Sequence, residues 1–179
     1  DEEGFLYPRI NSESCIGCDL CEKICPVMNV KNIPLDEFPK TYLAWSADEN
    51  EVEHATSGGL FYALASEFIR KGGYVIGAAY HDVYKVHHVV IDSVEELSKI
   101  CRSKYVQSET GSIYTDVEAL LKEGKKVLFS GTGCQVYGLL SYLRGKKAPM
   151  ETLFTVDVVC HGVPSPMVLE KYINHMEQE

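Results

Sequence analysis

The sequence predicts an α/β protein with a mostly parallel sheet flanked by helices, and a small cysteine-rich segment at its N-terminal end. From residue 41 onward, segments with the composition of strands alternate with segments that have the spacing of amphipathic helices. Such an alternation is typical of a sheet covered on both faces. Four of the seven cysteines lie before it, within residues 15–25. A chain of 179 residues is long enough for one principal domain and a small appendage.

The cysteine-rich segment has the spacing Cys15-x2-Cys18-x2-Cys21-x3-Cys25, and a proline follows it. Bacterial ferredoxins use this spacing to bind a 4Fe–4S cluster through thiolates. Gly17 leaves room for a tight loop, and the proline ends the short helix that carries Cys25. We therefore predict that these four cysteines bind clusters. A structural zinc ion is the alternative, but zinc is usually surrounded by two separated cysteine pairs.

The cysteine run lacks one ligand, since the fourth cysteine of such a run binds the other cluster in two-cluster ferredoxins. Residues 1–11 have the character of the strand and turn that join two runs, so we expect a first run upstream. Residues 1–33 are interpreted as part of a ferredoxin-type 4Fe–4S domain. Residues 34–40 contain two prolines and are interpreted as a linker. The α/β domain then spans 41–179, and we expect it to be incomplete at its C-terminal end.

Strands are predicted from short segments rich in β-branched, aromatic and other apolar residues. They are TYLAWSA (41–47), YVIGAAY (74–80), KVHHVVI (85–91), KVLFS (126–130) and LFTVDVVC (153–160). The last two are nearly continuous apolar runs, which is typical of strands buried on both faces. His87 and His88 point to opposite faces of their strand and cannot form one site, so both are interpreted as structural.

Helices are predicted from apolar residues at helical spacing. The inward faces are Leu60, Phe61, Leu64, Phe68 and Ile69; Ile113, Val117, Leu120 and Leu121; and Val136, Leu139, Leu140 and Leu143. The first helix is predicted to begin at Thr56 or Ser57 and to end at Gly72-Gly73. Ser93 and Glu96 form a predicted capping box for a short helix that ends near Cys101. Ser165-Pro166 predicts the start of a last helix.

Three loops lie where α/β proteins bind ligands, at helix entries beyond the carboxyl ends of strands. They are TSGG (56–59), SGTGCQ (130–135) and VCHGVPSP (159–166). The first can hold an anionic group on the amides of a helix start, although it could equally be a capping turn. Glycines in the second allow a ligand close to the backbone. Gly131-x-Gly133 is followed by Val136, so the dinucleotide fingerprint G-x-G-x-x-G is absent.

Three further cysteines lie in the α/β domain. Cys134 falls at a helix N-terminus, where the helix dipole favours a thiolate, and an inert buried thiol is the alternative. Cys160 ends a predicted buried strand and His161 follows it, and His161 could also be a hydrogen-bonded structural group. Cys101 lies in a helical pattern without partner spacing and is interpreted as a small core residue.

Composition excludes several classes of function. The chain has 17 basic and 26 acidic residues and a net charge of −9, with no basic cluster, so nucleic acid is not an expected partner. No apolar run approaches the roughly 20 residues of a membrane span, and DEEGFLYPRI lacks the features of a signal peptide. We therefore expect a cytoplasmic protein. Seven thiols in that reducing compartment favour metal or redox chemistry over disulfides.

Five motifs, in this order, resemble the beta subunits of coenzyme F420 hydrogenases and dehydrogenases. They are the cysteine run, TSGGLFYALA (56–65), SKYVQS (103–108), VLFSGTGCQVYGL (127–139) and DVVCHGVPSP (157–166). The resemblance covers nearly the whole chain. It extends to the bacterial branch of the family, which fuses a ferredoxin to the flavoprotein and is often associated with polysaccharide biosynthesis.

The resemblance implies an iron–sulfur flavoprotein that relays electrons between 4Fe–4S clusters and a two-electron carrier, coenzyme F420 or NAD(P)H. The flavin, FAD or FMN, converts between one-electron and two-electron transfer. By resemblance, Cys134 and Cys160 bind a cluster near the flavin, and their remaining ligands are expected beyond residue 179. Gly133 stands where many relatives have proline before the cysteine of this motif.

The resemblance also implies a set of flavin contacts in the glycine-rich loops. These are Ser57, Gly58, Gly59, Gly131, Gly133, Gln135 and His161, with Lys104 and Tyr105 as phosphate and ring contacts. A surface lysine and a packed tyrosine are the alternatives for the last two residues. No catalytic residue is assigned.

Two other functions are compatible with the sequence. The first is a ferredoxin-like electron-transfer module that docks to a redox partner protein and has no substrate chemistry of its own, with polysaccharide biosynthesis as a suggested context. The second is a zinc-stabilised interaction domain. We expect the full-length protein to be an oxidoreductase and the fragment alone to be inactive.

Overall fold

The computed structural model describes residues 1–5, 7–29, 40–53, 55–82 and 85–178. The predicted linker lies outside the described residues, apart from Lys40. The strands are β1 (Tyr74–Tyr80), β2 (Val86–Ile91), β3 (Ser108–Glu109), β4 (Val127–Thr132) and β5 (Leu153–Val158). The helices are α1 (Leu20–Ile24), α2 (Glu49–Glu53), α3 (Leu60–Arg70), a 3₁₀ helix (Val94–Lys99), α4 (Ile113–Lys122), α5 (Gly133–Lys146) and α6 (Pro166–Met176).

The strands form one five-stranded sheet in the order β3-β2-β1-β4-β5. The pairs β1–β4, β4–β5 and β2–β3 are parallel, and β1–β2 is the antiparallel pair. The predicted α/β class with a mostly parallel sheet is therefore confirmed. The parallel strands β1, β4 and β5 all end at the same edge of the sheet, which we call the carboxyl edge.

The sheet is covered on both faces because alternate residues of β1 and β4 point to opposite sides. Ile76 and Phe129 pack with α4 and α5, together with the buried residues Ile113, Val117, Leu139 and Leu143. Val75 and Leu128 pack on the other side with α3 and the 3₁₀ helix. Cys101 belongs to this second core at 5% exposure, in agreement with its interpretation as a small core residue.

Segment 41–47 is not a strand, contrary to the prediction. Its β-forming residues remain outside the sheet. Its Ser46 N–H donates to the Gly58 carbonyl, in the loop before α3, at 2.7 Å. Tyr42, Leu43 and Trp45 are exposed. The β propensity of this segment was a weak guide because a strand also needs a neighbouring strand to pair with.

The start of α3 also differs from the prediction. The residue that precedes the helix is Gly59 with φ 75°, rather than Thr56 or Ser57, and no side chain caps it. Leu60 and Leu64 are about half exposed, whereas Ala65, Ser66 and Ile69 are buried. The apolar stripe is therefore rotated relative to the predicted face. The predicted capping box at Ser93 is wrong as well, since Ser93 Oγ donates to Glu95 Oε2 at 2.5 Å.

Strand β5 lies at the edge of the sheet and is partly exposed, whereas the sequence predicted a buried strand. Phe154 is 53% exposed and Val158 is 44% exposed. An apolar run does not distinguish a central strand from an edge strand, because both have the same local pattern. The last helix begins as predicted, with Ser165 before it and proline at its start. Among the described residues, none of the helices has both the length and the apolar composition needed to cross a membrane.

Candidate cofactor and metal site

The three predicted ligand loops meet the carboxyl edge of the sheet. Cys134 follows β4, and Cys160 follows β5. Helix α3 joins β1 through the short turn at Gly72 and Gly73, so it runs antiparallel to that strand and its first turn lies at the same edge. This is the edge where open α/β sheets bind ligands.

Cys134 is exposed in the first turn of α5, and its thiol has a defined partner. Thr132 Oγ1 lies 3.1 Å from Cys134 Sγ. The Thr132 N–H donates to Gln135 Oε1 at 3.0 Å, as in a capping box. Cys134 is therefore held at the protein surface by the cap of its own helix, in a position where a thiol can bind a metal.

Gln135 and Gly131 have structural contacts that the sequence did not reveal. The Gln135 side chain lies over Gly131, where an added Cβ would come within 3.1 Å of Gln135 Oε1 and 3.0 Å of the Phe129 ring. Gln135 Nε2 also donates to the Ser108 carbonyl at 3.4 Å. The absence of a side chain at Gly131 thus makes room for protein groups.

Gly133 faces a carboxylate of the neighbouring strand. A Cβ at Gly133 would lie 3.2 Å from Asp157 Oδ2, which belongs to β5. A negative charge at this point favours the start of α5, but it opposes a second anion there. The loop of Gly131 and Gly133 is consequently a poor site for a phosphate.

Cys160 and His161 are both exposed in the loop after β5. The Gly162 N–H lies 3.4 Å from Cys160 Sγ and donates to it. Gly162 has φ 112°, a conformation that side chains rarely adopt, so a glycine is required for this turn. The loop presents the Cys160 thiol at the same edge of the sheet as Cys134.

A cleft of about 230 Å³ lies at the start of α3. It is lined by residues 55–62, Ala44, Cys101 and Arg102. Ser57, Gly58 and Gly59 therefore lie in its wall, and Gly58 has no room for a Cβ because Trp45 Cβ would be 2.8 Å away. The N–H groups of a first helical turn have no partners within the helix and favour anions.

Arg102 is the cationic side chain in this cleft, and sequence analysis did not find it. Its Nη2 donates to the Glu53 carbonyl at 3.1 Å, and its backbone has φ 66°, a conformation uncommon for residues other than glycine. The cleft thus combines a helix start with a guanidinium, which fits a phosphate group. Its volume is below the roughly 300–1,000 Å³ of drug-sized ligand pockets, so it would hold only part of a flavin nucleotide.

Lys104 and Tyr105 follow the cleft along the chain. Lys104 Nζ donates to the Cys101 carbonyl at 2.6 Å, and burial lowers the pKa of Lys104 to about 8. Burial also raises the pKa of the Cys101 thiol. Tyr105 is 77% exposed, so its ring is accessible to a ligand and is not the packed tyrosine considered as its alternative.

The cysteine run forms an exposed loop around α1. Three of its four thiols are exposed, Cys25 is half-buried, and all are free. The backbone turns at Gly17 and Asp19 have φ 66° and 56°. Within the described residues, no group of three or more His, Cys, Asp or Glu side chains is arranged to hold a metal ion. The run therefore fits a cluster by its donor chemistry and spacing.

The N-terminal segment that contains the cysteine run is held against the α/β domain by two contacts. Helix α1 contacts α5, the helix that carries Cys134. Before the run, Ser165 Oγ donates to the Glu3 carbonyl, and Gly4 packs against Pro166 and Met167. The first contact brings the run next to the helix of Cys134, and the second holds residues 3 and 4 at the start of α6.

The sequence matches three family models. The N-terminal model of the coenzyme F420 hydrogenase/dehydrogenase beta subunit matches residues 41–115, and the C-terminal model of the same subunit matches residues 124–179. A 4Fe–4S binding domain model matches residues 8–30. The two beta subunit models together cover most of the chain. No curated protein sequence matches it at a significant level.

A solved structure shares the fold. It is a chain of the F420-reducing NiFe hydrogenase complex from Methanosarcina barkeri, known from a xenon derivatization study, with a TM-score of 0.59 and 21% identity. The similarity covers 82% of the present chain and 54% of that chain. The present chain thus spans about half the length of its structural relative, and at this identity the likeness concerns the fold alone.

Proposed function

The chain belongs to the coenzyme F420 hydrogenase/dehydrogenase beta subunit family and contains a 4Fe–4S binding domain, and from this premise we propose that it is an iron–sulfur flavoprotein subunit that relays electrons. The observation that carries the proposal is the carboxyl edge of the sheet. Two exposed thiols and the cleft at the start of α3 lie along this edge, and the cysteine run packs on the helix of one of the thiols.

Clusters would be held at two places. Cys15, Cys18, Cys21 and Cys25 would contribute thiolates to ferredoxin-type clusters. Cys134 and Cys160 would contribute to a second site, where the Asp157 carboxylate lies beside the start of α5. A cluster bound there would supply one-electron transfer, and the protein holds the thiols in place through Thr132 and Gly162.

The flavin would bind through the cleft at the start of α3. Ser57, Gly58 and Gly59, in the loop that leads into the first turn of α3, would contact a phosphate of FAD or FMN, and Arg102 would neutralise its charge. Lys104 and the exposed ring of Tyr105 would contact the remainder of the nucleotide, and His161 would approach it from the loop after β5. A bound flavin supplies the conversion between one-electron and two-electron transfer.

The proposed electron carriers are a two-electron carrier, reduced F420 or NAD(P)H, on one side and a redox partner protein on the other. The first would react at the flavin and the second at the exposed cysteine run. The exposure of the run suits a docked partner, since electron-transfer contacts are formed with clusters near the surface. The alternative function, an electron-transfer module without substrate chemistry, would also dock a redox partner protein at the cysteine run, but it would contain no flavin.

The proposal is tested by the iron, acid-labile sulfide and flavin contents of the protein purified without oxygen. We expect iron and sulfide in equal amounts, together with bound flavin. Cys134→Ser should lower the iron content and leave the flavin, whereas Arg102→Gln should lower the flavin content and leave the iron. Cys101→Ala is the control for the iron content, because Cys101 has no partner spacing for a cluster. Arg144→Gln is the control for the flavin content, because Arg144 lies exposed at the end of α5.

The other outcomes would reject the proposal in different ways. Iron and sulfide without flavin, and no reduction by NAD(P)H or reduced F420, would indicate the electron-transfer module. Zinc without a visible chromophore would indicate an interaction domain. Loss of both cofactors in both variants would mean that the two sites are not separate.

A further inference from the structure

Gln135 has more contacts than a cap requires. Its side chain accepts from the Thr132 N–H at 3.0 Å and donates to the Ser108 carbonyl at 3.4 Å. Its own carbonyl accepts from the Tyr114 hydroxyl at 2.9 Å. One residue thus joins the start of α5, the strand β3 and the helix α4.

The surroundings of Gln135 are shaped to admit these bonds. Gly131 leaves the space that the Gln135 side chain occupies, and Gly138 leaves the space of the Tyr114 hydroxyl, which would lie 2.8 Å from an added Cβ. Both glycines lie inside regular elements, where glycine costs about 0.5–1 kcal/mol relative to alanine. Ser108 is fixed in turn, because its Oγ lies 2.9 Å from Nδ1 of the buried His88.

The bonds of Gln135 form a path between the two proposed cofactor sites. On one side, Thr132 holds the Cys134 thiol through its Oγ1, at 3.1 Å. On the other side, Ser108 ends the segment 101–108, which also carries Arg102 in the wall of the cleft and Lys104 beside it. Gln135 is the residue that bonds to both sides.

We propose that Gln135 is a positioning residue that fixes the Cys134 thiol relative to segment 101–108, and not a direct flavin contact. The inference rests on the proposed function, because it assigns a cluster to Cys134 and a flavin to the cleft. Groups behind a metal ligand orient it, and their loss typically costs about 10–100-fold in metal affinity or activity. Electron transfer between two redox centres requires that their positions are held fixed by supporting residues, as catalytic side chains are.

The experiment uses two substitutions of Gln135 and one control in the full-length protein. Gln135→Met keeps the size of the side chain and removes both of its hydrogen bonds. Gln135→Glu keeps an acceptor for the Thr132 N–H and places an oxygen against the Ser108 carbonyl. Gln107→Met is the control, since Gln107 is exposed and adjacent to Ser108.

Two readouts are compared among these variants. Amide hydrogen exchange of residues 131–137 should be fastest in Gln135→Met, intermediate in Gln135→Glu and unchanged in Gln107→Met. In the anaerobic protein, Gln135→Met should change the electron paramagnetic resonance signal and the midpoint potential of one cluster, and should release its iron to a chelator about 10-fold faster. Gln107→Met should alter none of these.

The outcomes separate this inference from the proposed function. If Gln135→Met behaves like Gln107→Met in both readouts, the positioning role is wrong even when cofactors are bound. Faster exchange with an unchanged cluster signal would mean that Gln135 stabilises only the local fold, and this would also overturn the proposal. If the wild-type protein contains no cluster, the proposed function fails, and unchanged exchange in Gln135→Met would reject the positioning role independently.

Discussion

Lys104 illustrates how one buried charge links stability to pH. Burial lowers its pKa to about 8 from an ordinary value of 10.5. The unfolded chain therefore binds this proton more tightly than the folded chain, and the free energy of unfolding should rise as the pH increases from about 8 to about 10.5. Lys104→Met should remove this rise. Urea unfolding at intervals between pH 7 and pH 10.5 measures it.

Cys101 acts in the opposite direction to Lys104, and it is present in every protein that is compared. Burial raises the pKa of its thiol, so its contribution to stability decreases as the pH rises. Lys85→Met serves as the control, since Lys85 lies exposed at the turn between β1 and β2. Parallel pH profiles for the wild-type protein and Lys104→Met would contradict the prediction.

The residues of the site were found from the sequence only when a local pattern marked them. Cys134 stands at a helix start, and Ser57 and Gly58 lie in the loop before one, which composition and spacing reveal. Arg102 and Asp157 reach the site through the packing of distant segments, as in the bond from Arg102 to Glu53. A single sequence has no local signal for such contacts. Asp157 in particular changes the interpretation of the Gly133 loop, because its charge opposes a phosphate there.

At the scale of elements, α4 and α5 pack closely where Gly138 of α5 leaves room for the Tyr114 hydroxyl of α4. Gly138 lies inside α5, and replacing it by alanine should favour the helix by about 1 kcal/mol. In this protein the added Cβ would lie 2.8 Å from the Tyr114 hydroxyl. Burial and the neighbouring Cys134 raise the pKa of Tyr114 to about 12, and its hydroxyl donates to the Gln135 carbonyl.

A double-mutant cycle tests this fit. Gly138→Ala should destabilise the wild-type protein, because it displaces the Tyr114 hydroxyl from its acceptor. In the background of Tyr114→Phe the same change should be neutral or stabilising, by up to about 1 kcal/mol. We expect an interaction energy of at least about 0.5 kcal/mol from urea unfolding of the four proteins. Additive effects would show that the two residues do not constrain each other.

The elements that were predicted correctly have patterns that are complete within the segment itself. Strand β1 was predicted with its observed bounds, and α4 and α5 were predicted from their apolar spacing. The errors arose where a neighbour decides the outcome. Segment 41–47 has β-forming residues but no strand beside it, and β5 has an apolar sequence but lies at the edge. The start of α3 was misplaced because Gly59 enters the helix with positive φ.

At the scale of the whole molecule, the N-terminal segment that contains the cysteine run contacts the α/β domain at two points. Helix α1 lies against α5, and the first residues lie against the start of α6 through Ser165 and Glu3. Helix α1 spans residues 20–24 and has no buried residues of its own. So short a helix gains little stability from its own hydrogen bonds, and its order depends on α5 and on ligands of the cysteine run.

This dependence predicts that iron stabilises more than the segment that binds it. Removing iron from the anaerobic protein with a chelator should speed amide exchange in residues 15–25. It should also speed exchange in α5, by at least about threefold, because α1 no longer covers it in a fixed position. Strand β1, at the centre of the sheet, should be unaffected. Hydrogen exchange measured by mass spectrometry before and after iron removal gives all three values.

The location of the metal that causes the change is identified by substitution. Cys18→Ser should reproduce the effect of the chelator on both segments, since it removes a ligand of the run and leaves Cys134 in place. Cys101→Ser, in the core beside α3, should not. A response confined to residues 15–25 would mean that the run binds its cluster independently of the α/β domain. A response in both segments would show that the proposed electron path crosses an interface that the cluster itself stabilises.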